Sequence, residues 1–440
     1  MGDTESDAGG RLDEHAGDAR RVESEPRLWR RVWRLPRNVF SIGIVSLFND
    51  ASSEIIYPVL PLFLALTLGA TRAQIGFIEG AAESLSGLLK LFSGYFSDRR
   101  GRRKGMVVFG YGLASIARPL IGLATQWPQV LAIRMADRFG KGVRSAPRDA
   151  MIADSALPTE RGLAFGFHRA MDHAGAVIGP VIAYVVLSFI ATNRQEPSAE
   201  NYKTLFLLAS IPALISVLVA IFAVRETGHA ARTVDENNPR PAPPRLTLRG
   251  LDSNFKRFLV ILALFTLSNS SDAFLLLRAQ QAGVSVALIP LLWAALHVSK
   301  VVSSVLGGDL SDKLGRKTMI VSGWALYAAV YLAFAFVSSA MEAWILFLVY
   351  GIYFGLTEGT EKALVADLVR PEQRGTAYGL YNLAFSITVF PASILMGKLL
   401  DLYGPFTAFT VSALIGSTAA LLLALTVKSD VGSQRLEVSS

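Results

Sequence analysis

A helix needs about 20 consecutive, mostly apolar residues to cross the hydrocarbon core of a bilayer, and this chain contains twelve such runs. They lie near 38–68, 73–97, 106–125, 128–153, 163–191, 204–224, 255–281, 284–311, 318–338, 341–366, 376–400 and 406–427. Lipid offers backbone N–H and C=O groups no partner, so a chain with this pattern must satisfy them within helices. The pattern predicts an all-α polytopic membrane protein. Composition agrees: 18% of the residues are charged and 52% are hydrophobic, whereas soluble domains carry about 25% charge. Cysteine is absent, which excludes disulfides, thiol catalysis and cysteine-bound metal.

The formal net charge is +8. A basic chain suggests nucleic acid, but here Arg and Lys gather in short loops and tails between the apolar runs, as in membrane proteins. No nucleic-acid partner is expected. The loops holding Arg99, Arg100, Arg102, Arg103 and Lys104, and later Lys313, Arg316 and Lys317, alternate with loops that lack Arg and Lys, such as 125–129 and 338–340. The positive-inside bias then places both termini in the cytoplasm. Residues 1–37 are expected to be a cytoplasmic tail, ending in the Trp- and Arg-rich stretch 28–34 as an interfacial anchor. No cleavable signal peptide is expected. Residues 38–225 form a first six-helix bundle and 255–427 a second. Between them, 226–254 carries Pro239, Pro241, Pro243 and Pro244 among charges and reads as a cytoplasmic linker. Residues 428–440 form a second polar tail.

The two halves repeat one another. Gly94, Asp98, Gly101, Arg102 and Arg103 recur in order as Gly308, Asp312, Gly315, Arg316 and Lys317, the two Asp being 312 − 98 = 214 residues apart. Ala153-Asp154 with Arg161-Gly162 recurs as Ala366-Asp367 with Arg374-Gly375, at 367 − 154 = 213. Ser52-Ser53-Glu54 resembles Ser270-Ser271-Asp272. Near-constant offsets indicate a duplicated six-helix unit, an arrangement that transporters use to place a substrate between two halves near the midplane.

These residues carry a resemblance to the permeases of the major facilitator superfamily. The Gly-x-x-x-Asp-Arg/Lys-x-Gly-Arg-Arg/Lys loop is that family's best-known motif, and it occurs once in each half. Arg138-Phe-Gly-Lys141-Gly142 is similar to the family's Arg-x-x-Gln-Gly pattern, with Lys141 in place of Gln. Gly175-Ala-Val-Ile-Gly179-Pro180 is similar to the Gly-x-x-x-Gly-Pro motif of proton-linked exporters, although Ala183 and Tyr184 stand where paired small residues usually follow. The resemblance implies twelve helices in two pseudo-symmetric bundles and alternating access. It also implies loops whose Asp and basic residues lock the cytoplasmic side shut in one state, and a monomer.

Ionisable residues inside a membrane are costly and mark function by default. The expected proton-coupling and charge-network residues are Asp50, Glu54, Glu79, Glu83, Arg138, Lys141 and Asp172. Arg118, Arg134, Arg144, Arg148, Asp137 and Asp149 belong to the same set of charges. The signs nearly cancel, so most must pair. Depth favours Glu54 or Glu83 as the proton-carrying acid, with Arg138 near mid-membrane as its counter-charge. The substrate-cavity candidates are Arg144, His173, Asp272, His297, Lys300, Glu358 and Glu361.

The expected function is secondary active transport of a small solute driven by the proton gradient, with export by antiport favoured by the Gly-Pro motif. Uptake of an anionic or organic solute by symport is the alternative, and a non-transporting receptor a weaker one. The sequence offers no His-Glu-x-x-His metal spacing, nucleophile motif or phosphate-binding Gly-rich loop. No enzyme activity, metal or organic cofactor is therefore expected. The expected partners are the lipid bilayer of a cytoplasmic membrane, a small-molecule substrate and protons.

Overall fold

A computed structural model describes residues 32–100, 102–227 and 246–427, less the side chains of residues 98, 100, 305–309, 312 and 372. Residues 1–31 of the expected N-terminal tail, the whole expected C-terminal tail 428–440, the middle of the linker and Gly101 lie outside the described residues. Residues 32–35 form a unit of their own, one turn closed by the Leu35 N–H on the Val32 carbonyl at 3.1 Å.

Every regular element among the described residues is helical, with no strand among them. In chain order the first-half helices are α1 (Arg37–Thr67), α2 (Arg72–Arg100), α3 (Lys104–Leu123), α4 (Trp127–Ser155), α5 (Arg161–Ile190) and α6 (Ala199–Phe222). The second half has α7 (Ser253–Gln281), α8 (Ile289–Leu314), α9 (Arg316–Phe336) and α10 (Ala340–Asp367). The run Arg374–Thr426 then divides at Gly404 into α11 and α12. Gly404 has φ 77°, where an L side chain is strained, and Pro405 follows it.

Nine helices among the described residues are long and apolar enough to cross a membrane. The long run counted once holds two spans. The other two spans, α2 and α4, are less apolar because charges dilute them: α4 alone holds Arg134, Asp137, Arg138, Lys141, Arg144, Arg148 and Asp149. α6 breaks at Ala209, between Ala199–Leu208 and Ser210–Phe222. Two more of the twelve helices are interrupted. α1 breaks around Pro58 and ends in a π-helical turn, Phe63–Thr67. α7 breaks over 269–272, between Ser253–Ser268 and Ala273–Gln281. Both breaks free backbone groups close to an acidic side chain, Glu54 and Asp272 respectively.

Successive helices alternate in direction. One end of the molecule, the near end, collects residue 37, the α2–α3 and α8–α9 turns and the ends of α4 and α10. The far end collects the start of α2, the end of α11 and the start of α8. Within the first half α1 packs on α5 and α6, and α4 on α2 and α3. Within the second, α8 packs on α10, and α12 on α7 and α9. The second half has an aromatic core: Trp324, Tyr327, Tyr331, Phe334, Tyr350 and Phe347 are fully buried, and Phe265 stacks on Trp324 at 4.1 Å between ring centres. The first half buries charge instead.

The halves meet along α2–α11 and α5–α8. Small residues permit the first contact. A Cβ on Gly76 would lie 2.2 Å from the Ser393 carbonyl oxygen, and one on Gly397 would lie 2.4 Å from that of Arg72. With no hydrophobic force between helices in lipid, such close backbone approach supplies much of the attraction. Hydrogen bonds add ties at the far end. The Asp401 carboxylate accepts from the N–H groups of Arg72 (3.0 Å) and Ala73 (2.8 Å), the first two of α2. An anion there also meets the positive end of the helix dipole. The Ala287 N–H reaches the Arg194 carbonyl at 3.2 Å.

Candidate functional site

The charges expected in the first half come together between α2, α3 and α4. Glu79 and Glu83 lie one turn apart on α2, and Arg134 and Arg138 one turn apart on α4, so the two helices face each other as two rungs. The first rung is closed. Arg134 grips Glu79 through Nε (3.1 Å) and Nη2 (2.7 Å), and the two side chains are 6% and 7% exposed. The second rung is looser: Arg138 Nε stands 3.7 Å from Glu83 Oε2, and the Glu83 side chain is 37% exposed. Asp137 sits behind both rungs, 2% exposed, and receives Arg118 at 2.9 Å, Arg134 at 3.5 Å and Arg138 at 3.7 Å. Arg118 also donates to the Asn49 carbonyl at 2.9 Å, which ties the cluster to α1. Burial of so many charges is tolerable only because each meets an opposite one.

The remaining residues of that expectation lie around the rungs. Lys141 is half-buried one turn beyond Arg138, in electrostatic range of Glu83 and Asp50. Asp50 accepts from Asn49 Nδ2 at 2.8 Å. Glu54 does not meet Arg138 directly. Its Oε2 accepts from the Trp293 indole N–H at 2.8 Å, so this acid joins α1 to α8 across the two halves. Glu54 is held there by α5: a Cβ on Gly179 would lie 2.5 Å from the Ala51 carbonyl and 2.9 Å from the Glu54 Cβ. Gly175 meets α1 one turn earlier, 2.5 Å from the Leu47 carbonyl by the same measure, and Pro180 is buried beside them.

Asp172 belongs to a separate chain of contacts. His168 Nδ1 is 3.5 Å from Asp172 Oδ2, and His168 Nε2 is 2.8 Å from Ser46 Oγ. Ser46 Oγ also lies 3.3 Å from the Tyr111 hydroxyl. The order hydroxyl, imidazole, carboxylate is that of a nucleophile with its base. Ser46, however, is 1% exposed and His168 2%, so the hydroxyl faces packed helices and no substrate carbonyl reaches it.

Two cavity candidates are not at the opening between the halves. Arg144 is 4% exposed because it turns into the α3 contact, where its Nη1 donates to the Gly110 carbonyl at 3.3 Å and its guanidinium lies over the Tyr111 ring at 4.4 Å. Glu361 is 8% exposed inside the second half, where both oxygens accept, from Trp324 Nε1 (2.9 Å) and from the Tyr381 hydroxyl (2.8 Å). Asp272, at the break in α7, accepts from the Tyr350 hydroxyl at 2.8 Å. His297 and Lys300 continue the face of α8 that carries Trp293, since offsets of four and seven residues return to one side of a helix. Lys300 Nζ lies over the Phe354 ring at 3.4 Å. His173 on α5 is in electrostatic range of Lys300 and of Glu358, which is exposed on α10.

The loop motifs place one symmetric pair of contacts at the near end. Arg103 meets the Asp154 carboxylate at the end of α4, and Arg316 meets Asp367 at the end of α10 at 2.5 Å. Both partners come from the repeated segments, with the offset of 213 at each residue. The Arg103 and Lys104 N–H groups also bond the Glu226 carboxylate, at 2.9 and 3.0 Å. Gly315 turns with φ 87°. Gly94 touches Ala146 at 3.5 Å by the position of an added Cβ. Arg102 is exposed and Lys317 half-buried. Gly308 lies in α8; the side chains of Asp98 and Asp312, and Gly101, are outside the described residues.

Sequence reasoning passed over Ser46, the small residues of the α2–α11 contact and Asp401. Gly76, Gly80 and Gly87 recur at helical spacing on α2, and that stripe was a readable signal. Asp401 had none, since its partners lie 329 and 328 residues away.

Comparison with known proteins follows this architecture. Residues 42–390 match the family model described as the Major Facilitator Superfamily. A major-facilitator-type transporter of Methanocaldococcus jannaschii, itself uncharacterised, is 33% identical over 88% of this chain and 94% of its own. A multi-drug resistance efflux pump homologue of Lactococcus lactis is 24% identical over 76% of this chain and 81% of its own. Among solved structures, a D-xylose–proton symporter superposes with a TM-score of 0.70 at 18% identity, over 89% of this chain and 98% of its own. The twelve helices, the duplicated loop motifs and the match over most of the length have one meaning: the chain belongs to the major facilitator superfamily and is a multi-pass membrane transporter of a small molecule.

Proposed function

We propose that this transporter exports a small organic solute in exchange for protons across the cytoplasmic membrane, with both termini in the cytoplasm. Glu83 is the acid that takes up and releases the proton, and Arg138 is its counter-charge. The observation that carries this reading is the contrast between the two rungs. Glu79 is enclosed in a two-point grip and Asp137 is surrounded by three guanidiniums, so neither has room to exchange a proton. Among the described residues Glu83 has one ion pair, at 3.7 Å, with Lys141 farther off, and more than a third of its side chain is exposed. Such an acid is stabilised as a carboxylate while Arg138 stands beside it, and gains a proton when the helices part. Glu54, bonded to the opposite half, responds to separation of the halves at the far end. It serves in this reading as a tie and not as the carrier. In this reading the tails, the linker and the two six-helix bundles have the bounds read from the sequence, and a monomer suffices for this cycle. Export is favoured by the Gly175–Gly179–Pro180 contact with α1 and by the efflux pump among the relatives.

The test is proton movement in proteoliposomes holding the purified protein, as a panel of solutes is added under an imposed pH gradient. The expected result is solute-triggered proton flux that falls more than about tenfold in Glu83→Gln, while downhill solute exchange stays within about twofold, the pattern for loss of a proton-transfer group. The sign of the flux separates antiport from symport. Unchanged coupling in Glu83→Gln sinks the assignment, and coupling lost in Glu54→Gln alone moves it to α1.

A further inference from the structure

The face of α8 turned toward the first half carries a cation whose donors are not used. Lys300 lies half-buried on α8, on the face that carries Trp293 and therefore looks toward the first half. Its ammonium rests 3.4 Å above the Phe354 ring. Glu54, Asp272 and Glu358 are all within electrostatic range of it, yet no carboxylate oxygen among the described residues lies within the 4.0 Å of an ion pair. Two of those acids are already engaged by neutral donors, Glu54 by Trp293 and Asp272 by Tyr350. Glu358 is exposed, one turn toward the near end from Phe354.

One turn from Lys300 toward the far end, His297 shows the same deficit. Its ring packs edge-on against Trp293, with centres 5.1 Å apart, and its Nε2 is enclosed without a hydrogen-bond partner. Buried polar atoms are nearly always satisfied, so an orphan at a functional interface calls for an explanation. His173 faces this group from α5. Three nitrogen-bearing side chains from both halves thus converge at mid-depth, two of them on adjacent turns of α8. Each can donate a hydrogen bond, and an apolar ring stands beside them.

We infer that Lys300 and His297 form the head-group subsite for the transported solute, and that the solute is a small organic anion bearing a carboxylate or phosphonate. The ammonium supplies a charge-assisted hydrogen bond, and the orphan imidazole nitrogen supplies a second donor to the same group. Phe354, whose ring lies 3.4 Å from the Lys300 ammonium, forms an apolar wall beside it. Because His173 comes from the other half, an anion held here contacts both halves at once, as a solute carried by alternating access must. The inference rests on the reading that solute occupies the space between the halves. It requires neither Glu83 nor a direction of transport.

The test is equilibrium binding of radiolabelled benzoate and phenylphosphonate to the purified full-length protein in detergent, with benzamide and benzylamine as neutral and cationic controls. No proton gradient is present, so this measurement succeeds or fails independently of proton coupling. The expected result is saturable binding of the two anions and not of the controls. Lys300→Gln should weaken the anions about tenfold, the worth of one charge-assisted hydrogen bond. Lys300→Arg, which keeps the charge, should restore most of the affinity, and His297→Gln should give an intermediate loss. Thermal unfolding of each variant checks that it folds as the parent does. Binding of benzamide or benzylamine as tight as that of benzoate overturns the inference. So does unaltered anion affinity in Lys300→Gln, or no binding of either anion at millimolar concentration.

Discussion

Asp137 joins three of the first half's arginines. It is the common acceptor for Arg118, Arg134 and Arg138 on two helices, and removal of its charge leaves three guanidiniums with one carboxylate fewer among them. Asp137→Asn is expected to lower stability by about 3–5 kcal/mol, the cost of breaking a buried pair by deleting one partner. Thermal unfolding in detergent, followed by size-exclusion fluorescence, measures it. Asp137→Glu, which keeps the charge, should lose much less. A Asn variant as stable as the parent would mean that the arginines find other acceptors. At this scale the sequence was legible in kind but not in detail. Near-cancelling charges on α2 and α4 required pairing, and a spacing of four on both helices put Glu79 with Glu83 and Arg134 with Arg138. Which acid met which arginine depends on how the two helices cross, and Glu54 shows the difference. Its depth matched that of Arg138, yet the lateral position of α1 turns it to Trp293 on the opposite half.

Helix boundaries were readable where hydropathy changes abruptly. They were less so where a helix begins with polar residues. α6 starts at Ala199, ahead of the expected 204, because Ser198 caps it: its Oγ accepts from the Asn201 N–H at 3.3 Å. The first turn then carries Glu200, Asn201 and Lys203, which hydropathy counts as loop. Contacts between elements are the level at which glycine spacing becomes informative. Gly179 on α5 has no room for a side chain, whereas Gly166, on the same helix, has nothing within 4 Å of an added Cβ. Gly179→Leu should therefore push α5 from α1 at the turn that holds Glu54. It should cost about 1–3 kcal/mol or more from overpacking and reduce transport severalfold. Gly166→Leu should leave both within error. Equal behaviour of the two variants in thermal unfolding and solute flux would remove the α1–α5 contact from the account.

Across the whole molecule, the ties between the halves include the Asp401 cap on α2, the Ala287–Arg194 bond and the Glu54–Trp293 bond. All of these belong to the far half, whereas the Arg103–Asp154 and Arg316–Asp367 pairs at the near end stay within their own halves. All four residues lie in repeated segments, although the loop offset of 214 matches Arg316 with Arg102 and the contacts match it with Arg103. The far-end ties join segments of different sequence, where no repeat or spacing signals them. Alternating access requires the far end to open in some other state, and the α2 cap must then break. The chain has no cysteine, so a double variant Arg72→Cys, Asp401→Cys introduces the only thiols. The two positions adjoin across the contact, since the Arg72 N–H meets the Asp401 carboxylate at 3.0 Å, and a disulfide forms there where the Cα atoms come within about 4.4–6.8 Å. Oxidation is expected to cross-link the pair within the monomer and to stop solute flux in proteoliposomes by more than about tenfold, because a locked far end abolishes one of the two states that transport must visit. Reduction should restore the flux to that of the unoxidised double variant. Full transport by the cross-linked protein would mean that α2 and α11 move as one body at the far end, and the opening would then have to pass between α5 and α8.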